Sequence, residues 1–270
     1  MASQPSLFGP LLRRFRVARG LSQERLALDA EISSRHLSCL ETGRAAPSQP
    51  MVLLLGAALD LPLRDRNGLL QAAGFVAAFR DVPLEAPEAA SLRRAIDLML
   101  EGIEPNGAVA CDRAWNILRM NAAASRLFAL FTDVENAPPV VMRNALVATL
   151  HPAGLRSSIV NFEAVATLLL DRVRRETTRF ADDPALLRLR DELAEIPDLP
   201  LPSPISGVAD GPFLTVHLRR GDLEARLFTT IATIGTPIDA TADDLRIETY
   251  FPADEPTQRL VASLTTRTQR

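Results

Sequence analysis

The sequence predicts two domains of different class, an all-α N-terminal domain followed by an α+β domain built on an antiparallel sheet. Three observations predict this. Residues 7 to 79 form a run of short amphipathic stretches set off by capping signals, with almost no period-two alternation. From Gly107 onward, alternating apolar stretches stand at both ends of the remaining chain with helical stretches between them. The charge divides in the same place: residues 1 to 80 hold ten Arg against six acids, whereas residues 81 to 270 hold twenty Arg against twenty-seven acids. The first part is therefore basic and the second acidic, although the whole chain has a net charge of -3. At 270 residues, each part is long enough to bury its own core. The expected division is 1 to 80 for the helical domain, 81 to 95 for a linker and the start of a connecting helix, and 96 to 270 for the α+β domain.

In the helical domain, Ser22 is placed to cap a helix starting at Gln23, and Leu21 and Leu26 have the spacing of a hydrophobic staple. The pattern repeats at once. Ser33 caps a second helix with Ile32 and Leu37 as its staple, and Gly43 suits the left-handed residue that ends it. Only a tight turn over Ala30 to Ile32 separates the two, which is the spacing of a helix-turn-helix. VPLEAPEAA, 82 to 90, reads as a linker, and SLRRAIDLMLEGI, 91 to 103, as the connecting helix. GAVACDRAWNILRM then reads as two short strands around a turn, and NAAASRLFALF as a helix capped by Asn121. Further helices are expected near 140 to 149, 154 to 179 and 184 to 195, before a proline-rich loop at 196 to 212. FLTVHLRRGDLEARLFTTIATIG predicts a hairpin turning near Gly221-Asp222, and DLRIETYFP predicts the last strand. Strands at both ends predict a sheet with its helices gathered on one face.

The second helix of the pair has a face that a core helix lacks. At 100° per residue Leu37 and Leu40 fall on one side, and Ser34, Arg35, Ser38 and Cys39 on the other. Short polar side chains and one Arg on an exposed helix suit the DNA major groove, where a guanidinium bonds guanine bidentately. Double-stranded DNA is the expected partner, with Arg13, Arg14, Arg19 and Arg44 as candidate phosphate contacts.

Arg16 to Ala27, RVARGLSQERLA, followed by ISSRHLSCLETGRAAPS at 32 to 48, resembles the Cro and C1 repressor class of helix-turn-helix, the XRE family. The resemblance implies that Gln23 contacts phosphate and that Ser33, Ser34, Arg35 and Cys39 point to base edges. His36, on the flank of the helix, is expected at the DNA backbone. The resemblance also implies an ion pair between Arg16 and Glu41 that fixes the docking angle. Cys39 departs from the family, which often has a longer polar residue there.

The second domain lacks the residues of an enzyme. His36, His151 and His217 are far apart, no Gly-rich phosphate loop occurs, and the Asp182-Asp183 and Asp243-Asp244 pairs sit in polar turns where capping is the expected role. WNILRMNAAASRLFALF, 115 to 131, resembles the early strand and first helix of a PAS domain. PSQPMVLLLGAALDLPLRDRNGLLQAAGF (47 to 75), HPAGLR (151 to 156), IVNFEA (159 to 164) and IETYFPAD (247 to 254) together resemble the MmyB-like regulators. This resemblance implies an apolar, fatty-acid-like ligand; no cofactor is expected to be required, and the histidines and cysteines show no metal-ligand spacing. Trp115, Phe128, Phe162, Phe228 and Tyr250 are the candidate pocket wall, with Arg156 to neutralise a ligand carboxylate. Phe162 stands where related sequences tend to have Trp.

The expected protein is a cytoplasmic transcriptional regulator, a homodimer meeting two operator half-sites. Its two cysteines form no disulfide framework, and its longest apolar runs stop short of a membrane span. The alternative is a ligand-free dimerisation or partner-protein platform, which a sealed apolar core would favour and a cavity lined by Trp115, Phe162 and Phe228 would oppose.

Overall fold

The computed structural model describes residues 7–133, 136–180, 183–201 and 213–266. Asp182 and most of the proline-rich loop lie outside the described residues. The chain divides into two compact units. One comprises residues 1–86 with 178–181 and 235–244, and the other comprises 87–177, 182–234 and 245–270.

The first unit holds five helices: α1 (Phe8–Ala18), α2 (Gln23–Asp29), α3 (Ser34–Glu41), α4 (Gln49–Ala58) and α5 (Leu63–Ala72). Three begin at a serine whose hydroxyl accepts a backbone N–H from the first turn: Ser22 from Arg25, Ser33 from His36 and Ser48 from Met51. Leu12, Leu26, Leu37, Leu40, Leu55 and Leu69 are fully buried at their common centre, and Leu21 and Ile32 pack against it from the staple positions. Between α2 and α3 the chain reverses through Glu31, which takes the left-handed conformation at φ 53°, and the Ile32 N–H returns to the Ala27 carbonyl at 2.9 Å.

The second unit contains α6 (Ala90–Ile103), β1 (Gly107–Cys111), β2 (Ile117–Met120), α7 (Ala122–Phe131), α8 (Ala145–Leu150), α9 (Phe162–Arg179), α10 (Pro184–Ala194), β3 (Val216–Arg220), β4 (Leu223–Thr233), β5 (Arg246–Pro252) and α12 (Glu255–Thr266); α11 (Ala240–Asp243) interrupts the path from β4 to β5. The five strands form one antiparallel sheet in the order β2-β1-β5-β4-β3. All five residues of β1 are buried, which accounts for its small apolar sequence GAVAC. Gly107 lets β1 approach α7 closely, since a Cβ there would stand a tight 3.2 Å from the Ala124 Cα. The hairpin turns at Gly221, φ 59°, and Asn121 caps α7 by accepting from the Ala124 N–H.

Three local outcomes differ from the sequence expectation. The stretch from 154 to 179 is not one helix: Arg156–Ser158 form a 3₁₀ turn, Ile159 is extended and bridges Leu218, and α9 starts at Phe162. Pairing with the sheet edge, sealed by the Val160 N–H on the His217 carbonyl at 2.8 Å, outweighs helix propensity there. A terminal helix, α12, follows β5, capped by Asp254 accepting from the Thr257 N–H at 2.9 Å, with Pro256 in its first turn. The connection 235–244 clusters with the helical unit instead of the sheet. Its Ala240 N–H donates to the Arg80 carbonyl at 2.7 Å, and the Asp243 carboxylate accepts the Leu63 N–H at 2.7 Å. Pro62, which precedes α5, has no side chain that can cap, so the missing cap arrives from a residue 180 positions away.

Among the described residues no helix is long and apolar enough to cross a membrane. No group of three or more His, Cys, Asp or Glu is placed among them to hold a metal ion.

Candidate functional site

The polar face of α3 is open to solvent. Ser33, Ser34, Arg35 and Arg44 are exposed, His36, Ser38 and Cys39 are half-buried, and Leu37 and Leu40 on the reverse side are fully buried in the core. Ser33 spends its hydroxyl on the helix cap and Arg44 donates its Nε to the Thr42 hydroxyl at 2.9 Å. Of the cationic residues outside α3, Arg13 and Arg14 are exposed on α1. Arg19 is half-buried and donates to the Asp60 carbonyl at 3.2 Å.

Behind this face lies a buried pair. Arg16 on α1 donates its Nε to Glu41 Oε1 at 2.6 Å and its Nη2 to Oε2 at 3.0 Å, while its Nη1 reaches the Leu21 carbonyl at 2.7 Å. Gln23 donates its side-chain amide to Glu41 Oε2 at 2.7 Å, so the residue expected at phosphate is tied to the same carboxylate. Burial alone would raise the Glu41 carboxyl. The hydrogen bonds from Arg16 and Gln23, with the charges of Arg16 and Arg13, hold it below the ordinary value instead. The α1–α3 approach that permits this pair runs through Gly9, which sequence reading passed over: a Cβ there would lie 2.5 Å from the Glu41 carbonyl oxygen.

The second unit contains a cavity of about 330 Å³ between the sheet and helices α7, α8 and α9. Most of its wall is apolar, with Phe128, Met142, Leu146, Leu169, Leu218 and Leu227 among the lining side chains. Arg172, Thr229, Glu248 and Tyr250 are among the side chains that supply polar groups. The Tyr250 hydroxyl donates to Glu248 Oε2 at 2.7 Å, and the Tyr250 ring meets Phe128 edge-on at 5.0 Å. Burial raises the Glu248 carboxyl above its ordinary value, although the Tyr250 hydrogen bond, the Arg172 charge and a Thr229 hydrogen bond oppose the shift. Thr132, also on the wall, has a buried hydroxyl with no hydrogen-bond partner.

Residues 92–264 match the family model described as the MmyB-like transcription regulator ligand binding domain. The chain belongs to that family. Residues 7–69 match a model described as a helix-turn-helix domain. One chain thus carries a match to a helix-turn-helix domain followed by a match to the ligand-binding domain of MmyB-like transcription regulators. No curated protein is matched by the chain. A solved structure titled "Structure of an RNA-binding Light-Oxygen-Voltage Receptor" aligns at 13% identity over 99% of this chain, with a TM-score of 0.27. The chain spans 64% of that structure's length, and so low a score says nothing of the fold.

In the MmyB-like domain the expected wall residues fall in different places. Phe128 and Tyr250 line the cavity. Trp115, Phe162, Phe228 and Arg156 are not among its lining residues. Trp115 is buried, the guanidinium groups of Arg172 and Arg246 lie over its ring at 5.1 and 4.9 Å from the centroid, and its indole N–H donates to Glu176 at 3.2 Å. Phe162 packs in the core beneath Arg156, whose guanidinium lies 4.6 Å from the ring centroid. Arg156 itself donates to the carbonyls of Pro197 at 2.6 Å and Asp198 at 3.2 Å. Phe228 stacks with Phe213 and Phe251. Strand alternation explains the last displacement. Phe228 stands opposite Phe251, whereas the neighbouring pair Thr229 and Tyr250 projects to the cavity side. Arg172 and Glu248 were missed because an isolated Arg in a helix and an isolated Glu in a strand look like surface residues until the fold places them.

Proposed function

We propose that this chain is a sequence-specific regulator of the XRE type, and that its C-terminal domain is a PAS-like sensor of a small apolar, fatty-acid-like ligand. The observation that carries the sensing half is the cavity, large enough for a small molecule and apolar over most of its wall with a few polar groups among its lining. The antiparallel five-stranded sheet with helices inserted between its second and third strands supports the PAS-like reading. The reading as an XRE-type head is supported by the capped α2–α3 pair and the exposed polar face of α3. The protein works in the cytoplasm as a homodimer, each α3 entering the major groove of one of two half-sites about one helical turn apart. It needs no cofactor. The ligand acts only through a difference in affinity between DNA-competent and DNA-incompetent arrangements of the dimer.

Mass spectrometry of the purified protein, native and then denatured, tests the sensing half. A defined small molecule released on unfolding is expected. A clean apo mass, together with no uptake of added apolar acids, would put the ligand-free dimerisation platform in its place.

A further inference from the structure

Helix α6 has two faces, and the sheet accounts for one of them. Ile96 and Leu100 are buried on the inner side, where the helix packs along β1. At 100° per residue the outer side is centred on Leu98, 58% exposed, with Arg94, Glu101 and Gly102 exposed around it. A Cβ on Gly102 would meet nothing within 4 Å, so this side is open. Beside the helix lies an open depression of about 390 Å³, bounded by Asp97, Glu101 and Glu104 and by Leu118 and Met120 next to them. Two of its acids already face a cation: Asp97 has Arg119 at 3.4 Å and Glu104 has Arg126 at 3.5 Å. The Glu101 carboxylate has no ion-pair or hydrogen-bond partner among the described residues, and neither has the Arg94 guanidinium.

The placement of charge identifies the occupant of this face. Arg94 stands four residues before Leu98 and Glu101 three after it, about 6 Å and 4.5 Å along the axis in opposite directions, and both lie on the flank that borders the depression. A two-fold axis at Leu98 that sets a second α6 antiparallel to the first reverses direction along the helix but keeps each flank on its own side. Arg94 of each copy then stands against Glu101 of the other, so the contact is made twice. On the opposite flank Ala95 meets Gly102, and neither side chain holds the helices apart. A parallel pair would instead set Arg94 against Arg94 and Glu101 against Glu101.

We infer that α6 is the face through which two copies of this chain associate, antiparallel about Leu98, with Arg94 of each copy entering the depression beside the other's α6 to meet Glu101. The inference rests on the chain being a homodimer, and it gives that dimer its surface. Burial of Leu98 and of Met120, 37% exposed in the single chain, supplies the apolar contact. The crossed ion pairs fix orientation and register more than they add affinity, because charges at the rim of an interface stay partly screened.

The test is sedimentation equilibrium of the full chain and of three variants. Arg94→Glu and Glu101→Arg each set like charges opposite one another twice per dimer, and each is expected to raise the dimer dissociation constant about tenfold. The double variant, Arg94→Glu with Glu101→Arg, restores opposite charges across the axis and is expected to return the constant to within about threefold of the wild type. Salt at about 1 M should narrow the gap between the single variants and the wild type, as a loss of folding would not. Both positions are exposed, and circular dichroism melts of the variants should match the wild type. A wild-type dimer that neither single variant weakens overturns the assignment of α6 while leaving the homodimer. Weakening in both single variants without recovery in the double one overturns the antiparallel pairing. A wild-type chain that stays monomeric at every concentration overturns the homodimer and this surface together.

Discussion

One guanidinium, that of Arg16, holds α1, the α2 entrance and the end of α3 together through its three hydrogen bonds to Glu41 and Leu21. Removing it leaves the Glu41 carboxylate buried with the Gln23 amide as its remaining side-chain hydrogen-bond donor among the described residues. Arg16→Ala is therefore expected to cost about 3 kcal/mol in chemical denaturation. Glu41 titrates below its ordinary value of 4.5, so its contribution is present above that pH and is lost as pH falls through the folded value. Glu41→Gln should accordingly flatten the loss of stability on acidification, measured by circular dichroism melts. Glu248 has the opposite sign: its raised carboxyl contributes fully below 4.5 and loses that contribution as pH rises through the folded value. Glu248→Gln, which keeps an acceptor for the Tyr250 hydroxyl, is expected to remove the fall in stability that sets in as pH rises above 4.5. Trp115, the sole tryptophan, lies in the same unit and reports the transition by fluorescence.

At the level of elements, α1 and α3 meet at Gly9, and here the backbone decides the sign of a substitution. Gly to Ala inside a helix ordinarily stabilises by about 0.5–1 kcal/mol. At Gly9 the new methyl meets backbone oxygens of Glu41 and Leu40 at 2.5 and 2.6 Å, neither of which is a flexible side-chain end. Gly9→Ala is expected to destabilise the helical unit by about 1–3 kcal/mol and to weaken DNA binding by shifting α3, read by denaturation and gel shift. Helix α5 presents the reverse situation, a cap lent from outside its own sequence. Asp243→Ala should cost about 1 kcal/mol and speed amide hydrogen exchange in the first turn of α5. The start of α9 was illegible because its competitor, an edge bridge between Ile159 and Leu218, depends on a strand more than fifty residues later. By contrast α12 had a readable signal, Asp254 three residues before Thr257 with Pro between them, the usual grammar of a helix start.

For the whole molecule the two units divide the labour of recognition, and their mutants should divide in the same way. Arg35, exposed on α3, is expected to read bases. Arg35→Ala should cost about 1–3 kcal/mol on the selected operator and little on random DNA. Arg44, exposed just beyond α3, should act through phosphate: Arg44→Ala weakens binding to every sequence and lowers the salt slope by about one ion. Titrations on both DNAs at several salt concentrations distinguish the two. Equal losses for Arg35→Ala on operator and random DNA would remove its role as a base reader.

The sequence by itself determined the division into a helical and an α+β unit, the helix-turn-helix with its serine caps, and the polar face of α3. These are local facts, since a cap, a staple or a helical stripe involves residues within a turn or two of one another. The composition of the cavity wall was decided by the tertiary structure alone. Phe128 and Tyr250 were legible because large aromatic residues in strands and helices draw attention wherever they stand. Arg172, Thr229 and Glu248 were not, because their meeting depends on the register that sets Thr229 opposite Tyr250 and on the pitch that turns α9 toward the sheet. A one-residue change of strand register exchanges the faces, so no reading of isolated segments can assign a side chain to a cavity.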